Sequence, residues 1–178
     1  MKILIGSDIH GSLKYARMFM EKAEKIKADR IVILGDFYYN GARNDPPEEY
    51  CPKEVVKLMN SYAKKLIAIK GNCESEVDQM VSDFTFCENS TLVVFDKKIT
   101  LTHGHHLNFD NVNDEDQDIF IQGHTHISVL EKRGELIIAN PGSVSLPKDG
   151  RHSYMIMDET GLALYDLLDD SLVKKIEF

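Results

Sequence analysis

Tryptophan is absent from this 178-residue chain, prolines number five, and the three cysteines, Cys51, Cys73 and Cys87, stand far apart with no C-x-x-C spacing. That scarcity of sulfur argues against a disulfide framework and a structural zinc site and fits a reduced setting. Long apolar runs are also lacking. The opening stretch Lys2-Ile3-Leu4-Ile5 meets Gly6 and polar residues too early for a signal peptide or a membrane span, so a cytoplasmic location without a membrane partner is expected. No G-x-G-x-x-G follows the first strand-like run and no G-x-x-x-x-G-K-[ST] occurs, which sets aside a nucleotide-binding Rossmann domain. Net positive charge is missing too: the formal balance is −8. An acidic surface repels polyanions, so duplex nucleic acid is not an expected partner.

What is present is a chain 43% hydrophobic and 28% charged, of a size that buries its apolar surface around one core, so residues 1–178 are read as a single domain. The first half alternates strand and helix signals. Lys2 to Ile5 reads as a buried strand, Leu13, Ala16, Met20 and Ala23 recur at helical spacing, and Arg30 to Leu34 reads as the next strand. A helix opening near Pro52 and a strand at Leu66 to Ile69 repeat the pattern. Each β-α-β passage of about 30 residues returns the chain parallel to its start. The second half holds short strand-like runs at Leu92–Phe95, Ile99–Thr102, Asp118–Ile121, Val129–Lys132, Glu135–Ala139, Tyr154–Met157 and Leu162–Leu167, and a largely antiparallel sheet packed on the first is expected. Asp110 to Asp118 forms an acidic loop that would border the cleft, and aromatic residues between Phe37 and Tyr50 are candidates for a homo-oligomer interface.

Five short polar motifs each follow an apolar run: Asp8-Ile9-His10, Gly35-Asp36, Gly71-Asn72, His103-Gly104 and Gly123-His124-Thr125-His126. The strands preceding Asp8, Asp36 and Asn72 should bring them to one carboxyl rim, where open α/β sheets keep their ligand sites. In extended backbone the i, i+2 pairs Asp8/His10 and His124/His126 would each point to one side and grip one ion. Asp36 can bridge two ions, with Asn72 and His103 completing the second shell. Carboxylate, imidazole and amide oxygen without thiolate suit Mn²⁺ first, with Fe²⁺, Zn²⁺ or Ni²⁺ as alternatives and Mg²⁺ fitting less well among so many histidines. Two such ions about 3.5–4 Å apart can clamp a phosphoryl group and activate a bridging water, so that no side-chain nucleophile is needed.

The same motifs resemble those of the calcineurin-like metallophosphoesterases, in the form Asp8-Ile9-His10, Gly35-Asp36, Gly71-Asn72-Cys73-Glu74, Thr102-His103-Gly104-His105 and Gly123-His124-Thr125-His126. Asn140-Pro141-Gly142-Ser143-Val144-Ser145 and Gly41-Ala42-Arg43-Asn44 resemble segments of the small YfcE-type phosphodiesterases. The resemblance implies a four-layer α/β/β/α sandwich, one metal on Asp8, His10, Asp36 and His126, and another on Asp36, Asn72, His103 and His124. It implies hydrolysis of small phosphodiesters by a metal-bridging hydroxide, with phosphomonoesters as the alternative substrate. A non-catalytic protein-binding scaffold, as in the retromer subunit that shares this fold, is a further alternative, although every ligand position is filled here. Many members carry histidine after the asparagine, where this chain has Cys73. A neutral thiol donates a proton poorly, so Cys73 reads as a filler rather than an acid or nucleophile, and His105 or metal-bound water would have to donate instead. Arg43, Asn140 and Ser143 are candidate substrate-binding residues, the first through its guanidinium. Tyr38 and Tyr39 are aromatic candidates for an ester group or for packing.

Overall fold

The computed structural model describes residues 1–178. In chain order the elements are β1 (Ile3–Gly6), α1 (Leu13–Ile26), β2 (Arg30–Ile33), α2 (Pro52–Ser61), β3 (Leu66–Ile69), α3 (Glu76–Val81), β4 (Phe86–Cys87), β5 (Asn89–Val94), β6 (Lys97–Thr102), β7 (Ile119–Ile121), β8 (Ser128–Arg133), β9 (Leu136–Pro141), β10 (Ser153–Asp158), β11 (Gly161–Asp166) and β12 (Leu172–Glu177). Ser12 caps α1 by accepting the Tyr15 amide, and Pro52 opens α2 at the position where its missing N–H is not needed.

Two mixed sheets face one another. The first runs β12-β11-β10-β1-β2-β3-β4 and the second β5-β6-β7-β9-β8. Strands β1, β2 and β3 pair in parallel as the β-α-β spacing predicts. The second half departs from a single antiparallel sheet in two ways. In the second sheet β7 pairs in parallel with both β6 and β9. The hairpin strands β10 to β12 leave that sheet and extend the first, with β10 antiparallel to the open edge of β1. A strand's alternation reveals which face is buried but not which edge it joins.

Alternation along the strands divides the core. Leu4, Ile31 and Ile33 point to α1 and α2, burying against Phe19, Met20, Val55 and Met59. Ile3, Ile5, Val32 and Leu34 point the other way, against Leu101, Ile119, Ile121 and Ile137 of the second sheet. The outer face of the second sheet is covered by a loop with one short 3-10 turn, Asp114–Asp116, where Phe109 packs its ring 5.9 Å from Phe120. Two packed mixed sheets with few helices make the expected α/β sandwich.

The acidic loop does not border the cleft. Asp118 accepts the Lys98 amide and Asp114 pairs with Arg133, at the ends of β6 and β8 remote from the motif-bearing loops. The aromatic segment is divided evenly: Phe37 and Tyr38 are buried, and Tyr39 and Tyr50 are exposed. No helix is long and apolar enough to cross a membrane.

Candidate metal centre

All five motifs meet at one rim. Asp8 and His10 lie beyond β1, Asp36 beyond β2, Asn72 beyond β3, His103 beyond β6, and His124 and His126 beyond β7. The backbone there is not extended: Asp8, His10, Asp36, His124 and His126 all have positive φ, between 50° and 68°. Left-handed backbone strains a non-glycine residue, and such residues gather at functional sites because the surrounding fold must hold them. Of the two i, i+2 pairs, Asp8 and His10 stay together while His124 and His126 separate. His126 joins Asp8 and His10, whereas His124 joins Asp36 and His103, each trio having its ligand atoms within 4.8 Å of one another. Asp36 stands between the two, its Oδ2 3.6 Å from His10 Nε2 and 3.5 Å from His103 Nε2. Asn72 Oδ1 lies 3.1 Å from His103 Nε2.

The imidazoles are oriented from behind. His10 Nδ1 faces the Tyr39 carbonyl at 2.8 Å, His103 Nδ1 that of Leu34 at 2.6 Å, and His126 Nδ1 that of Leu146 at 2.6 Å. Each carbonyl requires an N–H at Nδ1, which leaves Nε2 of the neutral ring as a lone pair aimed inward. Those lone pairs converge: His10 Nε2 and His126 Nε2 are 3.1 Å apart, and His124 Nδ1 is 3.2 Å from His103 Nε2. Asp8 Oδ1 is buried without a hydrogen bond, 3.2 Å from His126 Nε2, while Oδ2 accepts the His124 amide. Electron pairs facing one another around an orphaned carboxylate oxygen are what cations would satisfy, so these donor sets fit divalent ions.

Without metal, protons do that work. Burial opposes charge on His103, but its hydrogen bond to Asp36 and the charges of Asp8 and Asp36 overcome this and raise its pKa to about 9. Burial likewise opposes ionisation of Asp8, yet His10 and His126 hold it well below the ordinary carboxylate range. A metal ion held by His103 would therefore have to displace its proton at neutral pH. Apparent metal affinity is expected to rise as pH increases from 6.5 toward 9, by as much as about tenfold per unit for each proton released. Calorimetric Mn²⁺ titrations at several pH values measure this, and a flat profile would contradict the assignment of His103.

Glu74 is the residue whose role the sequence left unread. Its buried carboxylate accepts the amides of Asp36 at 2.9 Å and Gly71 at 2.5 Å through Oε2, and that of Phe37 at 2.7 Å through Oε1. It thus ties the loop after β2 to the loop after β3. Burial and the Asp36 charge raise its pKa to about 7, against the pull of these amides. Gly71 leaves room for this: a Cβ there would run into Asp36 Oδ1 and lie 2.9 Å from Glu74 Oε2.

Asn140 and Ser143 are fully buried, and their side chains bond to the loops around the site. The Asn140 amide donates to Gly123 O and Thr125 Oγ1, bracing the His124–His126 loop. Ser143 Oγ donates to Asp8 O, as does Ser145 Oγ, and Ser143 Oγ also accepts the Leu146 amide. The His105 ring lies tilted against that of His106, 5.3 Å from the ring of His103, and burial together with the neighbouring His103 and His106 pushes its pKa down to about 4, so it is a neutral imidazole at neutral pH.

A hollow of about 680 Å³ lies over the two trios, lined by Tyr39, Arg43, Asn72, Cys73 and Lys148 among others. Arg43 is therefore where a substrate oxygen could meet it. Cys73 donates its backbone N–H to Asp36 Oδ1 at 3.0 Å, and burial beside Asp36 pushes its thiol pKa well up. A thiol so held is not a nucleophile. Cys73→Ala is expected to keep at least about a third of wild-type activity, since true general acids contribute roughly 10²–10⁴-fold. Loss of all activity would overturn this. Cys73→His should raise rates selectively on poor leaving groups, read from the slope of rate against leaving-group pKa.

Two packed mixed sheets with convergent histidine and carboxylate clusters at one rim define a metal-dependent phosphoesterase. The chain belongs to the calcineurin-like phosphoesterase superfamily, whose domain it matches over residues 1–161. It is 41% identical to Phosphodiesterase YfcE of Escherichia coli, across 99% of this chain and 97% of that protein. The solved structure of E. coli YfcE superposes with a TM-score of 0.94, at 40% identity and 99% coverage of both chains. "Probable metallophosphoesterase YsnB" of Bacillus subtilis is 30% identical over 93% of this chain and 91% of its own length. Vps29 of Entamoeba histolytica shares the fold with a TM-score of 0.69 at 21% identity, covering 100% of this chain and 99% of that one.

Proposed function

We propose that the protein hydrolyses small phosphodiesters at two divalent ions, one held by Asp8, His10, Asp36 and His126 and the other by Asp36, Asn72, His103 and His124. The observation that carries this reading is the convergence of imidazole lone pairs whose other ring nitrogens are fixed on carbonyls. Bound there, a pair of ions neutralises phosphate charge and activates water for in-line attack. The chain's own residues do the rest. Asp36, with Oδ1 fixed by the Cys73 amide, keeps the two ligand sets in register, and Glu74 fixes the backbone beneath it. Asn72, partly in the open, borders both the hollow and His103, and Arg43 faces the entering phosphate.

Mn²⁺ is the proposed native ion on the grounds of its tolerance for mixed imidazole and carboxylate sets, and a cytoplasmic setting suits three free thiols. The YfcE relative, by its name a phosphodiesterase, favours diesters over monoesters. The test is hydrolysis of bis(p-nitrophenyl) phosphate and p-nitrophenyl phosphate by chelated protein reloaded with Mn²⁺. The diester should turn over faster. Turnover of neither ester with any divalent ion would sink the enzyme reading and favour a protein-binding scaffold.

A further inference from the structure

The hollow over the ligand sets continues into a second, of about 630 Å³, through a neck formed by Arg43, Asn44, His126 and Lys148, which line both. Two cations therefore flank the passage beside a metal-site histidine, in a protein whose net charge is −8. Neither Arg43 nor Lys148 forms an ion pair, while other lysines and arginines around the molecule do. Both are held in place by their backbones. The Lys148 amide donates to His126 O at 2.9 Å, and reciprocal bonds between the Asn40 and Asn44 side chains and main chains, at 2.6 and 2.8 Å, clasp the loop that carries Arg43. Beyond the neck, Pro46, Pro47 and Pro147 line the second hollow together with Tyr15 and His152, whose rings stack at 4.1 Å. Glu48, also there, is already occupied by Lys14 and Tyr15. Asp45 lines only this outer hollow, where a carboxylate suits a hydroxylated group rather than further phosphate.

A second observation concerns the leaving group. The histidines lining the first hollow, His10, His124 and His126, all belong to the ligand sets, and Cys73 occupies the place beside Asn72. No imidazole there is free to protonate a departing alkoxide, which is almost as basic as hydroxide, water having a pKa of about 15.7. A phosphate monoester, with a second pKa of about 6, leaves without that help.

Resting on the phosphodiesterase reading, we infer that the natural substrates are diesters of diphosphate, with the scissile phosphorus at the metal site and the second phosphate in the Arg43–Lys148 neck. Water oxygen bonds to the first phosphorus, the bond from that phosphorus to the bridging oxygen breaks, and the bridging oxygen departs on the second phosphate. The products are two phosphomonoesters and two protons. Arg43 and Lys148 stabilise the charge gathering on the leaving phosphate, and the stacked, proline-lined hollow receives the organic arm behind it.

The test compares three probes on Mn²⁺-loaded full-length protein: bis(p-nitrophenyl) phosphate, diadenosine 5′,5′-diphosphate and the single-phosphate diester adenylyl-(3′,5′)-adenosine. The diphosphate should be cleaved to AMP with kcat/KM at least about a hundredfold above that of the adenylyl diester. Lys148→Ala should raise KM for the diphosphate by about tenfold relative to its effect on bis(p-nitrophenyl) phosphate, with Lys148→Arg restoring most of the difference. Equal or better cleavage of the adenylyl diester, or an equal effect of Lys148→Ala on both good substrates, would overturn the inference while leaving the phosphodiesterase reading intact. Failure to cleave bis(p-nitrophenyl) phosphate as well would defeat the parent reading instead.

Discussion

Asp36→Asn is expected to lower kcat/KM on bis(p-nitrophenyl) phosphate by about a thousandfold or more, roughly 4 kcal/mol of transition-state stabilisation. Its carboxylate is the one group that reaches toward both ligand sets, with Oδ2 close to His10 and His103 and Oδ1 fixed on the Cys73 amide. The amide has nearly the same shape, so the fold has no reason to suffer. What would disappear is one negative charge from the group that would hold both ions, and with it part of the affinity for them. Circular dichroism unchanged from wild type, together with weakened metal binding, would mark the loss as local. Activity within tenfold of wild type would show that Asp36 does not join the two sites.

Glu74→Ala is expected to have the largest effect on stability. Its removal strands the amides of Asp36, Phe37 and Gly71 in a buried pocket, and each unsatisfied donor costs about 1–3 kcal/mol. Allowing for relaxation and entry of water, the total should be about 3–5 kcal/mol. For a chain of this length each kcal/mol moves Tm by roughly 2–4 °C, so a fall of about 6–20 °C is expected in the metal-free protein. Scanning calorimetry measures it, and a shift of 2 °C or less would contradict the role given to this carboxylate. Glu74→Gln should recover only part of the loss, because one of its two oxygens becomes an amide nitrogen that cannot accept a hydrogen bond.

The contrast between Asp36 and Glu74 shows where the sequence is informative. Asp8, Asp36 and Asn72 were legible because each ends a strand-like run, and β-α-β spacing alone places such ends on one rim. The left-handed backbone was not legible. Parity arguments assume extended chain, and nothing in D-x-H or H-x-H announces a positive φ at alternate residues, so the separation of His124 from His126 was implied by the family resemblance and not by spacing. Glu74 looks like one more acidic residue before a helix; its meaning lies in amides 37 and 38 residues away in the chain. Asn140 and Ser143 were legible as residues near the site, but their bonds to the loop backbones were not, since a polar residue near a site braces its loops as readily as it faces a ligand. The placement of β10 to β12 beside β1 was hidden for another reason: the open edge of β1 is a property of the assembled sheet, not of any segment.

On the proposed reading, seven side chains form two metal sites joined by Asp36. Metal content measured by plasma mass spectrometry, on protein equilibrated with Mn²⁺ and freed of excess ion, tests it most directly. Two ions per chain are expected for the wild type, with clearly fewer for Asp36→Asn. A wild-type protein that holds one ion or none while hydrolysing the diester at its full rate would contradict it.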